Sequence, residues 1–240
     1  MVISGKHAVK EAIKSGATID KLMILTGTVD REHKEIIALA KNVGVKVMYV
    51  RKEILDKESP KNQGVVAYTS EFKYSTLDEI FAISEKKNEP PFIVVLDGIT
   101  DVHNLGSVLR VAECAGVHGV IIPKHRAACV NETVMRISAG AAEHVAVARV
   151  TNINDAIKTL KEKNVWVYAA EANGGLIYKT DLKGAIAIVI GGEDTGVKHL
   201  TGKLCDGIIS LPLFGEINSL NASVAAGAVL YEAVRQRTGN

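Results

Sequence analysis

The chain has 240 residues, 47% of them hydrophobic and 23% charged, with a formal net charge of +2. That length and composition suit one large or two small globular domains and exclude a largely disordered chain. No apolar run approaches the roughly 20 residues that a membrane-spanning helix needs, and a signal peptide is not expected, because charges interrupt the opening MVISGKHAVKEAIKSG.

In chain order, Ser4 is placed to cap a helix through Val9, Ala12 and Ile13 that ends near Gly16. KLMIL (21–25) reads as a buried strand. Glu32 to Asn42 carries Ile36, Ile37, Leu39 and Ala40 at helical spacing, with Gly44 to end it. VKVMYV (45–50) predicts a strand, residues 51–58 a short helix and GVVAY (64–68) a third strand. A helix is predicted within 74–87, and KKNEPP (86–91) reads as a connection, since Pro-Pro resists both helix and central strand.

From Phe92 the pattern becomes strand, loop and helix in alternation. FIVVLDG (92–98), GVIIP (119–123), VAVARV (145–150), VWVYAA (165–170) and AIAIVIGG (185–192) read as strands. Helices are predicted over 105–116, 131–142, 152–163 with Asn152 as cap, and Ser219 to Arg237. The continuous apolar strands and the alternation predict an α/β fold, a parallel sheet with helices on both faces. The organisation expected is a small α/β domain over 1–72, a linker over 73–91 and a second domain over 92–240.

Cys114, Cys129 and Cys205 lack C-x-x-C spacing, which argues against a disulfide framework or a zinc site. They are expected to be reduced and mostly buried, in a cytoplasmic protein. Residues 1–69 hold 12 Lys and Arg against 8 Asp and Glu, whereas 91–240 hold 14 of each. The basic surplus in the first third fits an RNA-contacting part, but charge alone favours a solvated surface with a chance imbalance.

Parallel α/β domains bind ligands at the carboxyl ends of their strands. Three segments fall there. In LDGITDVHNLGSVLRVAECAG (96–116), Asn104 precedes Arg110 by six residues; alone, this reads as a cap and a surface charge. In IVIGGEDTGV (188–197), two glycines end an apolar strand, but neither a dinucleotide fingerprint nor a P-loop is present. In ISLPLFGEINSLNASVAAGAVLYEAVRQR (209–237), Ser219 and Ser223 are expected to share a face of the terminal helix.

Together these segments resemble the SpoU/TrmH family of RNA ribose 2′-O-methyltransferases. The motifs are Asn104, Gly106 and Arg110; then the stretch Gly191 to Gly196 with Glu193; then Pro212, Ser219, Leu220, Asn221 and Ser223. The opening VISGKHAVKEAI and NQGVVAY (62–68) extend the resemblance to the branch with an added N-terminal RNA-binding domain, which methylates a guanosine of 23S ribosomal RNA. The resemblance implies a C-terminal domain with a deep trefoil knot that forms the cofactor pocket. It also implies a homodimer, and an N-terminal fold like that of kink-turn-binding ribosomal proteins. The cofactor it implies is S-adenosylmethionine, bound around Gly191, Gly192, Leu211, Leu220 and Ser223, with no metal and no membrane partner.

Methyl transfer to a ribose hydroxyl requires aligned reactants and a clamp on the neighbouring phosphate. Arg110 suits the clamp, because a guanidinium binds phosphate oxygens bidentately. Asn104 is expected to orient Arg110 or the ribose, and Glu193 to hold Arg110 or the nucleotide. Ser219, Asn221 and Ser223 are expected to hydrogen-bond the site. Asp101 and His103 read as ordinary loop polar residues, and Trp166 as core. Lys6, His7, Asn62 and Gln63 are the candidate RNA contacts of the first domain. Transfer RNA as substrate, a non-catalytic RNA-binding protein of the same fold, and a dehydrogenase without its fingerprint are the alternative readings.

Overall fold

The computed structural model describes residues 2–15, 17–28, 30–69, 72–193 and 195–239. Gly16, named above as the end of the first helix, lies outside them. Two units separate: Met1–Lys73 with Ala128–Glu132, and Tyr74–Ala127 with Thr133–Asn240.

The first unit is built from β1 (Val2–Ser4), α1 (Lys6–Ser15), β2 (Ile19–Leu25), α2 (Arg31–Asn42), β3 (Val47–Val50), α3 (Lys52–Glu58) and β4 (Val65–Thr69). Its sheet runs β1-β4-β2-β3, antiparallel except for the β2–β3 pair. Strand alternation sends Leu22 and Ile24 into a core with Val9, Ile13 and Ile36, and Met23 into a smaller one with Leu55. Ser4 is not a helix cap. It ends β1, its hydroxyl accepts from the Ser59 hydroxyl at 2.8 Å, and Gly5 at φ +92° turns the chain into α1.

The second unit holds α4 (Leu77–Lys87), β5 (Phe92–Asp97), α5 (Val102–Cys114), β6 (Gly119–Pro123), α6 (Glu132–Ile137), β7 (Ala146–Val150), α7 (Ile153–Glu162), β8 (Trp166–Leu176), β9 (Ile186–Gly191), α8 (His199–Leu204), β10 (Gly207–Ser210) and α9 (Ala222–Thr238). Its sheet is wholly parallel, in the order β10-β8-β9-β5-β6-β7. All six residues of β5 are buried, as a strand covered on both faces requires.

The segment 73–91 is not a free linker. Ser75 bridges Ala148, and a reciprocal capping box between Thr76 and Glu79 starts α4. Ile80 and Phe81 then bury among Ile121, Ile157 and Ala187. The apolar spacing of that helix provides a face for the second core, which draws the segment into the second unit.

Other expectations change locally. The helix predicted over 131–142 stops at Ile137, because Ala139 and Gly140 take φ values of +51° and +86°; a 3-10 turn, Ala141–Glu143, follows. α9 begins at Ala222, so Ser219 lies in the preceding loop and shares no helix face with Ser223. Trp166 is 59% exposed, since alternation along β8 turns Val167 and Ala169 inward and Trp166 away. The cysteines are free, but Cys114 is exposed and Cys129 and Cys205 only half-buried. Burial and then the neighbouring Asp206 push the Cys205 thiol up to about 12, which keeps it protonated. α8 and β10, six and four residues long, are too short for a periodic signal and were not expected.

Candidate active site

The carboxyl end of β9 and the later half of β8 meet a cleft of about 310 Å³. Gly191, Gly192, Glu193 and Gly196 line one side. The turn is tight: the Gly196 amide donates to the Gly192 carbonyl at 2.8 Å, and Gly192 donates to the Asp97 carbonyl at 3.1 Å. A Cβ at Gly191 would overlap the Gly196 carbonyl carbon and the Val197 nitrogen, so glycine is required there.

Buried Asp97 fastens this turn from beneath. Its carboxylate accepts from the Lys198 backbone at 3.1 Å and from Lys198 Nζ at 2.5 Å. Residues of β8 form the second wall. Ala169 pairs with Ile208 of β10, but the next pair is Gly175 with Ile209. The intervening residues leave that ladder and bring Ala170, Glu171, Ala172 and Asn173 to the cleft. Glu171 Oε1 accepts from the Val197 amide at 2.9 Å. Leu211, Leu213, Ser219 and Leu220 of the last loop, with Ala222, Ala225 and Val229 of α9, complete the enclosure.

A side-chain network stands at the mouth. Asn104 Nδ2 donates to Glu193 Oε1 at 2.6 Å. Asn221 Nδ2 donates to Asn104 Oδ1 at 3.0 Å and to Glu193 Oε1 at 2.5 Å. Asn221 Oδ1 meanwhile caps α9, accepting from the Ser223 and Val224 amides at 2.9 and 3.3 Å and from the Ser223 hydroxyl at 2.7 Å.

Asn104 can join this network because it is not the cap of α5. Asp101 holds that position, its side chain accepting from the His103 amide at 2.9 Å. α5 therefore starts earlier than expected, and Asn104 sits buried in its first turn. Gly106 lies against α6, where a Cβ would meet the Ile137 side chain at 2.7 Å.

Residues 91–231 match the sequence profile of the SpoU rRNA methylase family. The chain belongs to the SpoU family. Residues 2–75 match a second profile, the RNA 2′-O ribose methyltransferase substrate-binding domain. YacO of Bacillus subtilis, assigned by name to the TrmH family of tRNA/rRNA methyltransferases, is 41% identical over 237 residues, covering 98% of this chain and 95% of the relative. A like-named protein of Staphylococcus aureus is 42% identical over 238 residues, covering 98% and 96%. Among solved structures, the SpoU methyltransferase AviRb of Streptomyces viridochromogenes in complex with AdoMet matches with a TM-score of 0.64 and 25% identity, covering 100% of this chain and 91% of that one. The A. aeolicus TrmH/SpoU tRNA modifying enzyme matches with a TM-score of 0.58 and 26% identity, covering 68% of this chain and 84% of that one.

Within this SpoU chain, the structure brings most of the sequence-selected residues to one place. Gly191, Gly192, Leu211, Leu220, Glu193 and Ser219 line the cleft, and Asn104 and Asn221 bond to Glu193. Ser223 does not line it; its hydroxyl bonds Asn221. Arg110 is exposed and stands outside the network, so Glu193 holds two amides rather than the guanidinium. Six residues along a helix is a rotation of about 240°, which carries Arg110 off the face that Asn104 presents.

In the first unit, Lys6 Nζ is paired with Asp30 at 3.0 Å and Glu32 at 3.2 Å. The His33 amide and then Lys6 hold the Asp30 carboxyl well below the usual range. Asn62 is buried, bonding Asp56, the Ser59 carbonyl and the Gly64 amide, so it shapes its loop instead of facing outward. His7 and Gln63 are exposed, and Gln63 Oε1 accepts from the Lys6 amide at 3.1 Å.

Sequence reasoning missed Glu171, Asn173 and the Asp97–Lys198 pair. The polar EANGG directly after an apolar strand was the available signal for the first two. Among the described residues, no group of three His, Cys, Asp or Glu side chains converges as metal ligands, and no helix is long and apolar enough to cross a membrane.

Proposed function

We propose that this SpoU chain uses S-adenosylmethionine to methylate a ribose 2′-hydroxyl of structured RNA, with a guanosine of 23S ribosomal RNA as the target. The observation that carries the reading is the cleft bordered by the Asn104–Glu193–Asn221 network. Its volume, about 310 Å³, lies within the range of small-molecule sites. Its walls are largely apolar, with the side-chain-free residues Gly191 and Gly192 among them, which suits an adenosyl group recognised by main-chain atoms. When bound, the cofactor supplies a methyl group already activated on a positively charged sulfur.

The chain's own residues bind and align. Main chain around Gly191, Leu211 and Leu220 holds the adenosyl group. Asn104 and Asn221 fix the Glu193 carboxylate, leaving its second oxygen to orient the target nucleotide. Arg110, exposed and unencumbered, clamps the phosphate next to the target ribose. Ser219 lines the cleft and Ser223 steadies Asn221. The first unit carries the RNA contacts, with His7 and Gln63 presented outward.

The last loop and α9 enclose the cleft together with β8, an arrangement that favours the trefoil-knotted pocket. Exposed Phe214, Ile217, Val224 and Tyr231 supply the apolar surface that a homodimer of this domain would cover. The N-terminal unit is read as the kink-turn-binding kind of fold, and the cytoplasm as the place of work. Transfer RNA is the second reading, because relatives are named for both RNAs. Mapping 2′-O-methylation in ribosomal and transfer RNA from cells lacking the protein decides between them. Loss of one methyl group in 23S RNA supports the proposal, loss in transfer RNA supports the alternative, and no loss in either overturns both.

A further inference from the structure

The cleft has a charge asymmetry that its volume does not reveal. Of the described residues that line it, only Glu171 and Glu193 are ionisable, and no lysine, arginine or histidine is among them. Glu193 has Oε1 engaged by two side-chain amides. Glu171 is anchored differently. The bulge of β8 carries it to the wall, and the Val197 amide holds Oε1 at 2.9 Å. Gly196 leaves room for this, since a Cβ there would sit 3.2 Å from that oxygen. The carboxylate is thus fixed at the wall by a neutral donor, with no cation among the described residues that line the cleft.

The cofactor and its product differ in charge at one atom. Methyl transfer turns a sulfonium into a neutral thioether, so the ligand in the cleft loses one positive charge. A fixed carboxylate in a partly desolvated cleft attracts the first form more than the second. We infer that Glu171 is a specificity-determining residue that makes the cleft prefer the cationic cofactor over its neutral product, and so favours product release. This rests on the cofactor reading above. Methyl transfer itself cancels the attraction that helped hold the ligand.

Calorimetric titration of the full-length protein with S-adenosylmethionine, S-adenosylhomocysteine and sinefungin tests this. Sinefungin carries an ammonium group where the cofactor carries the sulfonium. Glu171→Gln keeps the shape and the acceptor for Val197 but removes the charge. The expected result is that wild type prefers both cationic ligands, and that the substitution lowers this preference by about tenfold. Asn173→Lys leaves Glu171 in place and adds a cation on the exposed rim of the same wall; it should shift the ratio in the same direction. An unchanged ratio in both variants, or equal weakening of all three ligands, overturns the inference. Failure of the wild type to bind any of the three would instead overturn the cofactor reading beneath it.

Discussion

Asn221 donates a hydrogen bond to the side-chain oxygen of Asn104, 117 residues earlier in the chain, and both amides converge on Glu193 Oε1. One residue caps the terminal helix, one sits in the first turn of α5, and the third tops the glycine turn after β9. The site is therefore held by three elements distant in sequence, and the two amides fix the orientation of an otherwise exposed carboxylate.

Removing the central amide should show this. Asn104→Ala takes one donor from Glu193 and the acceptor from Asn221, a loss of about 1–3 kcal/mol at the site. Methyl transfer to RNA should fall by about 10- to 100-fold in kcat/KM, measured with labelled cofactor. Unaltered transfer would mean that the network is not part of the reaction.

Arg110 makes the opposite case. It is exposed, so Arg110→Ala should change stability by no more than about 0.5 kcal/mol. Transfer should drop by about 10²-fold or more, while cofactor affinity stays at the wild-type level in calorimetry. Retention of full activity removes Arg110 from the mechanism.

Gly191 tolerates no side chain, because a Cβ would overlap the backbone at Gly196 and Val197. Gly191→Ala should cost about 1–3 kcal/mol or more through forced displacement of the turn. A lower thermal midpoint together with lost cofactor binding is expected. A stable variant with normal affinity would show that the turn is more pliant than its hydrogen bonds suggest.

Stability should also depend on pH through His118. This residue is buried; its Nδ1 accepts from the Phe92 amide at 3.0 Å, and Nε2 faces Glu89 at 3.0 Å. Burial lowers its pKa, outweighing the upward pull of Glu89. Below the ordinary histidine value of about 6.5 the unfolded chain takes up a proton that the folded protein resists. Its contribution is thus complete above that value and is lost as pH falls through and below it. Denaturant unfolding should become easier from pH 7 toward pH 5, with a smaller slope in His118→Asn. Equal slopes in the two proteins would contradict this assignment.

The alternation of apolar strands and amphipathic helices determined the α/β class, the parallel sheet and the three stretches that bear the site. These features repeat at short range and are visible residue by residue in segments such as FIVVLDG and AIAIVIGG. Tertiary structure alone decided that Asn104 bonds Glu193 instead of capping α5, that the segment before Pro91 packs into the second unit, and that Trp166 faces outward. It also decided that Glu171 enters the cleft, through a break in pairing between β8 and β10. Each outcome depends on which distant backbone comes within hydrogen-bonding or packing distance. Local spacing carries the period of an element, but not the neighbour that meets it.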